Sequence, residues 1–95
     1  MTEREVVVNG DAGVHARPAM MIVKAAMKFP CDVALVRGKM EADCKSIMSV
    51  LGLAITSGSR LIVRANGEGE VEAVDSIVAM IENNFKLNEE PSEKN

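Results

Sequence analysis

A single histidine, His15, stands in this 95-residue chain, inside the run Gly13-Val14-His15-Ala16-Arg17-Pro18-Ala19. A neutral imidazole carries a lone pair that can attack phosphorus, and with an ordinary pKa of about 6.5 much of it is in that form near neutral pH. Arg17 adds a permanent cation two residues on, with a planar fork of donors suited to phosphate oxygens. An apolar-periodic stretch begins at once, and Pro18 loses nothing by lacking an N–H there, so the segment reads as a helix start. Free backbone N–H groups and the positive end of the helix dipole welcome an anion at such a start. The same features disfavour imidazolium and then hold the phosphorylated product. Fixed dipoles and a guanidinium supply the charge stabilisation, so no metal or cofactor is expected. A plainer reading makes His15 a helix cap and Arg17 a solvated charge. Gly13, His15, Arg17 and Pro18 in register favour the phosphoryl chemistry.

Other side chains are candidates for binding rather than chemistry. Met20 and Met21 stand off the main apolar stripe of this first helix, while Ile47, Met48 and Leu51 make a second, short helix apolar over much of its surface. Core packing claims some of them, but polarizable thioethers also suit a surface that docks on several partners. A face built from both helix starts is expected, rimmed by Lys24 and Lys45. Ser46 reads as the N-cap of the second helix, and a phosphate there would set about two negative charges beside the docking surface. Cys31 and Cys44 lack metal-ligand spacing and read as packing residues. No second acid–base group lies near His15, which argues against a small enzyme.

The elements that must position these residues follow from periodicity and punctuation. Glu5 to Val8 reads as a strand turned by Asn9-Gly10. A helix runs from Ala16 to about Lys28, with Ala19, Ile22, Val23 and Ala26 on one face, and Phe29-Pro30 stops it. Asp32 to Arg37 is a second strand, Gly38 a tight connection, and Met40 to Ala42 a return strand. Ser46 to Leu53 is the short helix, and Arg60 to Ala65 another strand turned by Asn66-Gly67. Val71, Val74, Val78, Ile81 and Phe85 give the last helix its stripe. The order βαββαβα, with a hairpin in the middle, predicts an α+β open-faced β-sandwich: a four-stranded, mainly antiparallel sheet with three helices on one face. Residues 1–87 form one domain, and the polar segment 88–95, which carries Pro91, reads as a disordered tail.

Composition narrows the function classes. A net charge of −3 and only two aromatic residues, Phe29 and Phe85, argue against nucleic-acid binding. Val6-Val7-Val8 after a charged start is too short to target or span a membrane, which predicts a cytoplasmic protein. Nothing in the sequence demands more than a monomer.

The run from Gly13 to Ala19 strongly resembles HPr, the histidine-containing phosphocarrier of the bacterial phosphoenolpyruvate-dependent sugar phosphotransferase system. Lys45-Ser46-Ile47-Met48 is similar to the family's regulatory serine and docking helix, and the element order agrees from about Val6 to Phe85. The resemblance implies that His15 takes a phosphoryl group on Nδ1 from enzyme I and passes it to the A component of an enzyme II. It also implies Arg17 as phosphate holder, Gly13, Ala16 and Pro18 as support, and Ser46 as a site for a serine kinase/phosphorylase. Ala12 departs from the Ser or Asn common in the family, and Ser49, Gly52 and Ala54 from the glycine-rich docking helix of Gram-positive members. A regulatory binding module, including one in a nitrogen-branch or incomplete system, is the alternative.

Overall fold

The computed structural model describes residues 1–9 and 16–85. Along Arg60–Asn66, strand β4, Leu61, Val63 and Ala65 are buried while Arg60 and Asn66 are exposed, the two-residue alternation of a sheet covered on one face. Three further strands complete the sheet: β2 (Asp32–Arg37) repeats the alternation through buried Val33 and Leu35, whereas β1 (Thr2–Val7) and β3 (Met40–Asp43) bury one residue each, Val6 and Ala42. They order as β1-β4-β2-β3, every neighbouring pair antiparallel. Helices α1 (Ala16–Ala26), α2 (Ile47–Gly52) and α3 (Glu70–Glu82) complete the expected order. They pack with the sheet and with one another, leaving the opposite sheet face open.

The core between the layers is aliphatic. Ile22, Leu35, Leu61, Val63, Ile77 and Ile81 are essentially inaccessible, and no described polar or charged residue is buried. Truncating any of these large side chains to alanine costs about 2–5 kcal/mol through lost transfer energy and the cavity left behind. Cys31 and Cys44 lie in this core as free thiols. Burial, then the charge of Asp43, pushes the Cys44 thiol up to about 12, so it stays protonated and unreactive.

Several boundaries differ from the sequence expectation. Strand β1 starts at Thr2, not Glu5, because Glu3 and Glu5 lie on the open face and pair with Arg64 (2.8 Å) and Arg60 (3.5 Å) of β4. Val8 lies past the strand but is buried, its N–H donating to the Ser59 carbonyl at 2.9 Å. Helix α1 ends at Ala26, and Lys28 and Phe29 continue it only as tighter i→i−3 turns. Val71 is 54% exposed instead of buried. The buried face of α3 is shared by Ala73, Val74, Ile77, Val78 and Ile81, which centres it away from Val71 and leaves that residue on its flank. Phe85 reaches the core through a Schellman turn, not through helix: its N–H donates to the Met80 carbonyl, that of Asn84 to Ile81, and both residues are left-handed.

Two glycines are required by their turns. Gly38 has φ +61° at the first central position of the β2–β3 hairpin, as a type II′ turn demands. A Cβ on Gly67 would sit 3.1 Å from Cβ of Cys31, so the β4–α3 turn can press against the residue before β2 only without a side chain.

Candidate functional site

Ala16 and Arg17 are the first two residues of α1, ahead of the first i→i−4 bond, so their backbone N–H groups have no partner inside the helix. Pro18 follows, half-buried, at a position where its missing N–H is not needed. The Arg17 side chain is exposed and forms no hydrogen bond or ion pair with a described residue. Neither the first turn of α1 nor that of α2 carries an acidic residue. The start of α1 therefore presents the positive end of the helix dipole, with no acidic residue in its first turn and a guanidinium that no described residue engages. Gly13 and His15 lie outside the described residues, as does the expected tail.

The stripe of α1 falls as its periodicity predicts. Ala19, Ile22 and Ala26 are buried, and Val23 is half-buried against the core. Outside that stripe Met20 is 44% exposed, Lys24 is exposed and Met21 is half-buried. Helix α2 packs beside α1 and divides its apolar residues. Ile47 and Leu51 rest on the core, while Met48, 74% exposed, points to solvent. Ser46 caps α2, its Oγ accepting from the Ser49 N–H at 3.3 Å.

Lys45 behaves differently from a rim lysine. Half-buried, its ammonium donates to the Phe29 carbonyl at 2.8 Å, just beyond the last turn of α1. The start of α2 thus lies by the end of α1, not by its start. Eleven residues of α1 span about 16 Å, so the expected surface takes the form of a strip along both helices, with Arg17 at one end and Lys45 and Ser46 at the other.

A scan against family models matches residues 2–83 to the phosphotransferase HPr component, described as "PTS HPr component phosphorylation site". The chain belongs to the HPr family. It is 41% identical over 86 residues to phosphocarrier protein HPr of Treponema pallidum, covering 90% of this chain and 98% of that one. It is 35% identical over 82 residues to HPr-like protein Crh of Halalkalibacterium halodurans, covering 86% and 98%. Its structure resembles the crystal structure of HPr-C-His from Thermoanaerobacter tengcongensis with a TM-score of 0.86 and 31% identity, covering 92% of this chain and 100% of that one. The HPr membership supports a phosphocarrier role in the phosphotransferase system, and the HPr structure has the same open-faced sandwich.

Other features of the molecule lie away from the start of α1. A shallow concavity of about 480 Å³ opens on the uncovered sheet face, lined in part by Asp32, Glu41, Asp43 and Arg64. Arg64 spans that face, 2.8 Å from Glu3 and 3.4 Å from Glu41; its hydrogen bond to Glu3 is the main reason its pKa is raised. Among the described residues no cluster of three His, Cys, Asp or Glu side chains could hold a metal, and no helix is long and apolar enough to cross a membrane.

Proposed function

We propose that this HPr family member carries a phosphoryl group on His15, taken from enzyme I and handed to the A component of an enzyme II for sugar uptake. The supporting observation is the start of α1: two amides with no partner inside the helix, an exposed Arg17 and no acidic residue in the first turn, immediately after His15. An imidazole nitrogen forms the N–P bond as the bond from phosphorus to the donor breaks; the reverse exchange delivers the group onward. Arg17 and the amides of Ala16 and Arg17 hold the phosphate oxygens in both directions, and Gly13 and Pro18 shape the entry to the helix. Accepting and releasing a group between two proteins calls for an exposed acceptor, not an enclosed pocket.

Met20, Met48 and Lys24 form the docking strip, with Met21, Ile47 and Leu51 beneath it and Lys45 at its far end. Phosphate on Ser46 weakens docking of an acidic partner by like-charge repulsion. The carrier works in the cytoplasm. Likeness to HPr-like protein Crh favours a second reading, a regulatory module acting through binding alone; such a module has no need of His15.

Incubation with enzyme I and phosphoenolpyruvate tests the carrier reading. The expected product is an acid-labile, base-stable phosphohistidine that His15→Ala abolishes. An unmodified protein, or an adduct that survives the substitution, overturns it.

A further inference from the structure

The chain has seven methionines, and none of them lies in the buried core. Met1, Met20, Met27, Met40 and Met48 are exposed, and Met21 and Met80 are half-buried. Methionine elsewhere ranks with leucine and valine among interior residues, yet the interior here is Ile, Leu, Val, Ala and Cys. Oxidation of a buried methionine disrupts a core by turning an apolar thioether into a polar sulfoxide. In this molecule the same chemistry acts on the surface and spares the interior. Two of the exposed thioethers, Met20 and Met48, stand on the adjoining helices α1 and α2, which carry no carboxylate.

We infer that Met20 and Met48 make the docking strip sensitive to oxidation: a hydroperoxide converts their thioethers to sulfoxides, and partner docking weakens while the fold persists. The inference rests on the carrier reading for the identity of that strip. The sulfur lone pair attacks the peroxide, the O–O bond breaks and an S–O bond forms. Sulfur is oxidised by two electrons, and the hydroperoxide leaves as an alcohol or, from hydrogen peroxide, as water. The new oxygen is a strong acceptor that must lose its hydration when a partner covers it. Met27, beyond the last turn of α1, and Met40, on the edge strand β3, oxidise without this consequence.

The test treats the full chain with hydrogen peroxide, maps sulfoxides by mass spectrometry, and measures thermal melting and the kinetics of phosphorylation by enzyme I. Oxidation at Met20 and Met48 is expected to raise KM for this protein about tenfold, the loss of roughly one good apolar contact. The melting temperature stays the same, and methionine sulfoxide reductase restores KM. Each variant is compared with its own untreated form. Met20→Leu/Met48→Leu loses the peroxide response, and Met27→Leu/Met40→Leu keeps it. An unchanged KM with both residues oxidised, a response that persists in the first double variant, a loss that follows melting, or no sulfoxide at Met20 and Met48 overturns the inference. Untreated protein that accepts no phosphoryl group marks failure of the carrier reading itself, and the inference falls with it.

Discussion

The ammonium of Lys45 lies 2.8 Å from the carbonyl oxygen of Phe29 and so ties the residue before the α2 cap to the end of α1. A cation at the C-terminal end of a helix meets both an unpaired carbonyl and the negative end of the dipole. Lys45→Met keeps the aliphatic stem and removes only the charge and the donor. It is expected to lower unfolding stability by about 1 kcal/mol, the net worth of a partly exposed charged hydrogen bond. A urea midpoint equal to that of the parent would show that the tie contributes nothing.

Ser46 serves as a cap and is also the proposed regulatory site, and two substitutions separate these roles. Ser46→Ala removes the acceptor for the Ser49 N–H; with a bond of 3.3 Å the expected cost is at the low end for caps, about 0.5–1 kcal/mol. Ser46→Asp keeps a capping oxygen and adds a negative charge, so stability stays near the parent while KM for phosphorylation by enzyme I rises. Thermal melts and steady-state kinetics on the same two variants check both halves.

What the sequence made legible was local. Ala19, Ile22 and Ala26 announce the buried face of α1 by spacing alone, and all three are buried. Alternation along β4 is equally plain, and Arg17 and Pro18 mark the helix start because a start is a property of consecutive residues. The charged half of β1 was not legible, because Glu3 and Glu5 become strand residues only when Arg64 and Arg60 of β4, some sixty residues away, lie opposite. The tie from Lys45 to the end of α1 was not legible for the same reason. Its partner Phe29 is sixteen positions back, and nothing near Lys45 signals that α2 starts beside the end of α1. Val71 fits the spacing of α3, but the small residue Ala73 and Ile77 share the buried face and shift its centre, leaving Val71 on the flank.

Ala54 has φ +53° just past the cap of α2, a conformation that favours glycine. An L-residue in the left-handed region costs roughly 1 kcal/mol, which gives a physical reason for glycine near this position in the Gram-positive pattern. Ala54→Gly relieves that strain but adds freedom to the unfolded chain. The net expectation is a stabilisation of about 0.5 kcal/mol, read as a rise in melting temperature.

Glu70 closes the turn before α3. One carboxylate oxygen accepts the Gly67 N–H at 3.0 Å, and the other accepts the Thr2 hydroxyl at 2.7 Å beside the Met1 amino group. These contacts, led by the Gly67 bond, hold its pKa at about 2 against an ordinary 4.5. A carboxylate with a lowered folded-state pKa contributes stability that is fully present above pH 4.5 and is lost as the pH falls toward 2. Glu70→Gln does not titrate, so the stability gap between parent and variant should close over that window and stay constant from about pH 5 to 6.5, below the range in which an α-amino group such as that of Met1 ordinarily loses its proton. Denaturation series across both ranges measure it; a gap that does not change below pH 4.5 would remove Glu70 from the acid response.

Arg17 offers the sharpest separation of chemistry from folding. Its side chain is exposed and has no hydrogen bond or ion pair with a described residue, so Arg17→Ala should change unfolding stability by less than about 0.5 kcal/mol. Removing a positioned donor to a phosphoryl group typically costs a factor of about 10²–10³ in rate. Rapid-quench measurement of phosphoryl transfer from enzyme I should show a loss of that size. Arg17→Lys should recover only part of it, because an ammonium supplies the charge without the planar fork that engages two oxygens at once. Equal rates for the parent and the alanine variant would leave the helix amides as the sole anion holder, whereas a loss that accompanies unfolding would assign Arg17 a structural part.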